Sequence, residues 1–118
     1  MKHLEDNLLI QTVTYLRYQY PDVLFTHIAN ERRTSPQAGV RLKRKGVTAG
    51  MPDLLIFYPI VNFNVFYCGL AIELKVGKNK QTDSQKLIEG KLKASRWLYD
   101  VCYTFDEVKK LIDSYLTS

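Results

Sequence analysis

At 118 residues, 46% apolar and 12% aromatic, the chain is sized for one domain around one hydrophobic core and is too apolar for disorder. No apolar run reaches the roughly 20 residues that a bilayer-spanning helix needs. The opening Met1-Lys2-His3-Leu4-Glu5-Asp6-Asn7 places acids where a signal peptide needs an apolar stretch, so a cytoplasmic protein is expected.

Leu8, Leu9, Val13, Leu16 and Tyr20 recur at helical spacing and predict an amphipathic first helix that ends before Pro21. Val23 to Ile28 is β-branched and aromatic and reads as a strand. Ser35-Pro36 supplies an N-cap and a proline at the first helical position, opening a short basic helix that stops at Gly46. The glycine-bounded loop from Gly46 to Pro52 delivers the chain into a strand, Asp53 to Tyr58, which Pro59 breaks. Tyr67 to Val76 makes a longer strand, expected to pair with it as a hairpin across Asn62 to Asn64. Thr82-Asp83-Ser84-Gln85 is a capping box whose helix is predicted to run to about Leu98. Val101 to Tyr103 reads as a last strand. Thr104 and Glu107 form a second capping box before a helix through Val108, Leu111, Ile112 and Tyr115. Helices alternating with strands predict an α/β fold, a mixed sheet flanked by helices, as one domain over residues 1–118.

Charge is distributed unevenly. The formal net charge is +5, from 17 Lys and Arg against 12 Asp and Glu. Between Glu31 and Asp53 there is no acid, yet Arg32, Arg33, Arg41, Lys43, Arg44 and Lys45 lie there. Lys75, Lys78, Lys80 and Lys86 form a second group. A single basic run is ordinarily a solvated face. Two runs bracketing the same acids point instead to a phosphate-binding groove, with Arg32, Arg33, Arg41, Lys43, Arg44, Lys78 and Lys80 as its candidates.

The acids carry the chemistry. In Leu70-Ala71-Ile72-Glu73-Leu74-Lys75-Val76, period two puts the large aliphatic residues on one face and Ala71, Glu73 and Lys75 on the other. A charged pair in an apolar strand is costly unless compensated. Asp53 opens the neighbouring strand, and two close carboxylates repel unless a divalent cation binds between them. Oxygen ligands without His or Cys favour Mg²⁺ or Mn²⁺, and such a site suits phosphodiester hydrolysis. The pattern Glu-x-Lys is uninformative alone, since Glu89-Gly90-Lys91 and Glu107-Val108-Lys109 repeat it on predicted helices. Only Glu73-Leu74-Lys75 sits on a strand, with Pro52-Asp53 leading another strand 20 positions upstream (73 − 53).

Pro52-Asp53 followed by Glu73-Leu74-Lys75 resembles the PD-(D/E)XK nuclease superfamily. With Asn30-Glu31, the Gly46 to Pro52 loop, Gly69-Leu70 and Gln85, the chain more narrowly resembles the VRR-NUC family in its stand-alone phage and bacterial form. The resemblance implies a restriction-endonuclease-like core and a Mg²⁺- or Mn²⁺-dependent endonuclease acting on branched or junction DNA, such as flaps and Holliday junctions. It implies Asp53, Glu73 and the Leu74 backbone carbonyl as metal ligands, Lys75 as catalytic lysine and Gln85 as a further site residue. It also implies a homodimer in a bacterial host cell. Many relatives carry a first-helix acid four positions before a glutamine; Gln11 fits the glutamine, but the acid position is Asn7, with Glu5 and Asp6 just before it. Glu31 is the expected replacement.

The remaining chemistry-bearing residues have plainer readings. Gln85 at the third position of its helix is already explained by the capping box, so its two roles stand side by side. His27 reads as a strand histidine rather than a general base, and His3 as terminal. Trp97, Tyr99 and Tyr103 are expected in core and helix-end packing. Cys68 and Cys102 lack CxxC spacing and are expected as buried reduced thiols, with no zinc site. A catalytically silent or partner-activated DNA-binding module with the same fold is the alternative.

Overall fold

The structure is a computed structural model that describes residues 4–29, 35–62 and 64–118. The elements follow in chain order as α1 (Leu4–Gln19), β1 (Leu24–His27), α2 (Pro36–Arg44), β2 (Leu54–Phe57), β3 (Ile60–Asn62), β4 (Val65–Tyr67), β5 (Gly69–Leu74), α3 (Asp83–Ala94), β6 (Trp97–Cys102) and α4 (Phe105–Leu116). Four strands form a mixed sheet in the order β1-β2-β5-β6, in which only β5 and β6 run parallel. Parallel neighbours need a crossover, and α3 supplies it. The predicted α/β class is the observed one.

Strand β5 is buried along its whole length, as a central strand covered on both faces must be. Leu70, Ile72 and Leu74 join Leu54 and Ile56 of β2 on one face, where they pack with Leu8 and Leu16 of α1 and Val108, Ile112 and Tyr115 of α4. The opposite face carries Ala71, Glu73 and Tyr99, and α3 lies against β6 there, burying Ile88. This sidedness is the period-two pattern of the sequence carried into three dimensions.

Three expectations are corrected. The pairing of β2 with β5 is as predicted, but the connection is not a simple turn. Beyond Pro59 the chain forms a second, two-stranded sheet from β3 and β4 before entering β5. Helix α3 ends at Ala94 rather than near Leu98, because Arg96 adopts a left-handed φ of 67° and the chain turns at once into β6. Strand β6 therefore starts at Trp97, whose ring lies edge-on to Phe57 at 5.6 Å. It also covers Gly69 so closely that a Cβ there would sit 2.5 Å from it. Finally, Cys102 is a buried thiol as expected, whereas Cys68 is exposed in the turn between β4 and β5.

Candidate active site

Asp53 is held at both ends. Its carbonyl accepts the Ile28 N–H at 3.0 Å and the His27 ring at 2.7 Å, and since a carbonyl only accepts, the ring proton sits on Nδ1. Its carboxylate Oδ2 accepts the Leu74 N–H at 2.7 Å. The register that pairs Leu54 with Ile72 places Asp53 opposite Glu73, one step further along, so both carboxylates leave the same face of the sheet. His27 reads as a strand residue, as expected, yet it reaches a site residue that is distant in sequence.

Glu73 is 2% exposed and Lys75 7%, both at the end of β5 that runs towards Asp53. The Lys75 ammonium lies 3.6 Å from Glu73 Oε2, and the Lys75 N–H donates to the Cys102 carbonyl, which fixes its backbone against β6. Gln85 makes two contacts with its one side-chain amide. Its Oε1 accepts the Thr82 N–H at 2.9 Å, closing the capping box, and its Nε2 donates to Glu73 Oε2 at 3.0 Å. One amide has two ends, and the helix cap uses only one of them. Gly50, with φ of 86°, lies against the start of α3 so tightly that a Cβ would come within 2.5 Å of the Ser84 backbone.

Electrostatically the site is short of positive charge. Burial pushes the Glu73 carboxyl up to about 8, and the Asp53 charge pushes the same way, although Lys75 offsets part of it. Burial likewise raises Asp53 above the ordinary carboxylate range. Glu5, in the first turn of α1, is raised by burial and then by Asp53.

Glu5 is the residue to which sequence reasoning gave no role. Oxygens of Glu5, Asp53 and Glu73 all lie within 4.8 Å of one another, the only such acid or His/Cys group among the described residues. Asn7, the position expected from the spacing to Gln11, is two residues on and about 200° round the helix from Glu5. The overlooked signal lies in the helix itself. Glu5 falls on the stripe of Leu8, Thr12 and Leu16, the three residues that α1 buries, and an acid on a buried stripe needs a reason. Glu31, the expected third acid, lies outside the described residues, as do Arg32 and Arg33.

The three oxygens suit a hard divalent cation, which prefers carboxylate ligands and neutralises the repulsion that raises Glu73. The other Glu-x-Lys copies are structural. Glu89 pairs with Lys93 and accepts from Gln81, and Glu107 accepts the Tyr103 N–H.

Arg41, Lys43 and Arg44 are exposed on α2, which buries no residue and carries no acid. Lys43 lines an open cleft, about 670 Å³, between α2 and the loop from Gly46 to Met51 that leads into Asp53. Lys78 and Lys80 are exposed in the segment joining β5 to α3, which is tied down where Tyr103 donates to the Asn79 carbonyl at 2.8 Å.

Solved structures that share this fold include two. A "VRR_NUC domain protein" is 24% identical, with a TM-score of 0.75 over 96% of this chain and 88% of its own. A "VRR_NUC domain" is 20% identical, with a TM-score of 0.58 over 94% of this chain and 96% of its own. This chain has the VRR_NUC domain fold. No protein-family profile and no curated protein matches its sequence. The likeness thus spans nearly the whole chain.

Proposed function

We propose that the protein is a divalent-metal-dependent nuclease of the VRR-NUC type, hydrolysing phosphodiester bonds in branched or otherwise structured DNA. The observation that carries this reading is the convergence of Glu5, Asp53 and Glu73 beside Lys75 in a VRR_NUC-like fold. Glu5, Asp53 and Glu73 hold the cation, Mg²⁺ or Mn²⁺, with the Leu74 carbonyl as the further ligand. The cation supplies positive charge to the phosphate and lowers the pKa of water at the site.

The chain's own groups do the rest. The Leu74 N–H and the two bonds to the Asp53 carbonyl fix one carboxylate, and Gln85 fixes the other. Lys75 orients the attacking water and balances the charge that gathers on the phosphate. Arg41, Lys43, Arg44, Lys78 and Lys80 line the approach for the DNA backbone. The resemblance to stand-alone members supports a homodimer, and a cytoplasmic location suits the substrate.

Lys75→Ala is expected to lower cleavage of flap, fork and four-way junction DNA by about 10²–10³-fold or more while DNA binding survives. Full cleavage by this variant overturns the site. Wild-type protein that binds these substrates and cuts none of them with either metal overturns the nuclease reading in favour of a silent or partner-activated DNA-binding module.

A further inference from the structure

The segment that carries the chain from β5 into α3 leaves the site directly, since Lys75 stands just before it, and it is exposed from Gly77 to Lys80. A polar connection of this kind adds little to the core and is ordinarily among the least ordered parts of a domain. Here it is pinned. The Asn79 N–H donates to the Val76 carbonyl at 3.2 Å, closing a tight turn. Gly77 takes a φ of 60° in that turn, with open space where a Cβ would sit, so the glycine serves the shape of the turn and no contact.

The turn is also fastened from outside. The Tyr103 hydroxyl donates to the Asn79 carbonyl at 2.8 Å, its one partner among the described residues. Tyr103 is itself set, because its N–H donates to Glu107 Oε1 at 2.7 Å in the first turn of α4. Its neighbour Cys102 accepts the Lys75 N–H at 3.0 Å. The consecutive residues Cys102 and Tyr103 thus hold the two ends of the stretch from Lys75 to Asn79.

Between those anchors lies Lys78, exposed and in no ion pair among the described residues. At most about 11 Å of chain separates it from Lys75. A phosphate contact gains most when the loop that makes it is ordered beforehand, because that ordering is then not charged to binding. We propose that Tyr103 is a positioning residue for DNA: it holds the Val76–Asn79 turn so that Lys78 meets a phosphate next to the one at the acid cluster. The proposal rests on the nuclease reading for the DNA it places there, and it adds to that reading a residue that acts only through another.

Binding of fluorescein-labelled four-way junction DNA, followed by anisotropy in chelator over a range of salt, tests this without any cleavage. Lys78→Ala is expected to lower the slope of log affinity against log salt by about one, the mark of one lost phosphate contact. Tyr103→Phe changes no charge, yet it is expected to weaken binding about fivefold, the size of one hydrogen bond, and to lower the slope in the same direction. In the Lys78→Ala background it is expected to add nothing, because the lysine it positions is gone. Gly77→Ala strains the turn by a second route without meeting a neighbour, and is expected to reproduce the effect of Tyr103→Phe. A wild-type slope for both Tyr103→Phe and Gly77→Ala overturns the proposal, as does an equal loss from Tyr103→Phe with and without Lys78. Where wild-type protein binds the junction and cuts nothing with Mn²⁺, the nuclease reading fails separately, and the slopes still decide the role of Tyr103.

Discussion

Glu73 combines two liabilities, burial and a facing carboxylate, and both push its proton affinity up, to a pKa of about 8 from an ordinary 4.5. A carboxyl raised in this way adds stability that is fully present below 4.5 and is lost as pH climbs through 8, because the folded state must then hold a buried anion. Metal-free protein is therefore expected to melt at progressively lower temperature as pH rises across that interval. Glu73→Gln keeps the shape and removes the charge. It is expected to flatten the slope and to raise the melting temperature at the alkaline end by on the order of 5 °C. Mg²⁺ or Mn²⁺ is expected to stabilise the wild type most where Glu73 is ionised and the variant hardly at all. Thermal melts in chelator and in metal across this pH range check both statements, and a pH-independent melting temperature for the metal-free wild type contradicts them. Glu73 and Lys75 were legible in the sequence because charge in an apolar strand stands out. Glu5 was not, because an acid in the first turn of a helix is ordinary and favoured by the helix dipole.

Helix α3 shows how one element serves fold and site together. Thr82 caps it by accepting the Gln85 N–H at 3.2 Å, and Gln85 answers by capping Thr82 while holding Glu73. The two residues can be separated by substitution. Thr82→Ala is expected to cost about 1 kcal/mol, or about 4 °C in melting temperature, while cleavage stays within a few-fold of wild type. Gln85→Ala is expected to cost a similar amount of stability and also to weaken Mn²⁺ binding, because Glu73 Oε2 loses its donor. Equal metal affinity in both variants assigns Gln85 to the cap alone. The start of α3 was plain from Thr82 and Gln85, but its end was not. Leu92, Trp97 and Leu98 continue an apolar pattern compatible with either element, and only pairing with β5 turns Trp97 and Leu98 into strand. The β3–β4 hairpin was missed for a related reason. Ile60 to Asn62 and Val65 to Tyr67 are three-residue strands, below the length at which alternation can be recognised.

At the scale of the molecule, the site depends on how α1 is docked, since α1 delivers Glu5. Tyr15 and Tyr20, at the C-terminal part of the helix and just beyond it, both donate to Asp113 Oδ1 of α4, and Lys109 pairs with the same carboxylate. Below them Leu8 and Leu16 enter the common core with Ile112 and Tyr115. Asp113→Ala removes the acceptor of both tyrosine hydroxyls and of the Lys109 ammonium and is expected to cost about 2 kcal/mol, or about 8 °C in melting temperature. Hydrogen exchange is expected to show the loss of protection concentrated in α1, and uniform loss across the sheet contradicts the docking role. The sequence alone determined the α/β class, the order of the elements other than β3 and β4, the sheet face of each β5 residue and the grouping of Asp53 with Glu73 and Lys75. Each of these follows from local periodicity, caps and the cost of burying charge. Only the tertiary structure decided that Glu5 joins Asp53 and Glu73, that His27 supports Asp53, that Glu73 is the partner of the Gln85 amide, and that a cleft opens beside the loop into Asp53. Those relations join residues far apart in the chain, and their distances are set by how helices and sheet pack, which no local pattern encodes.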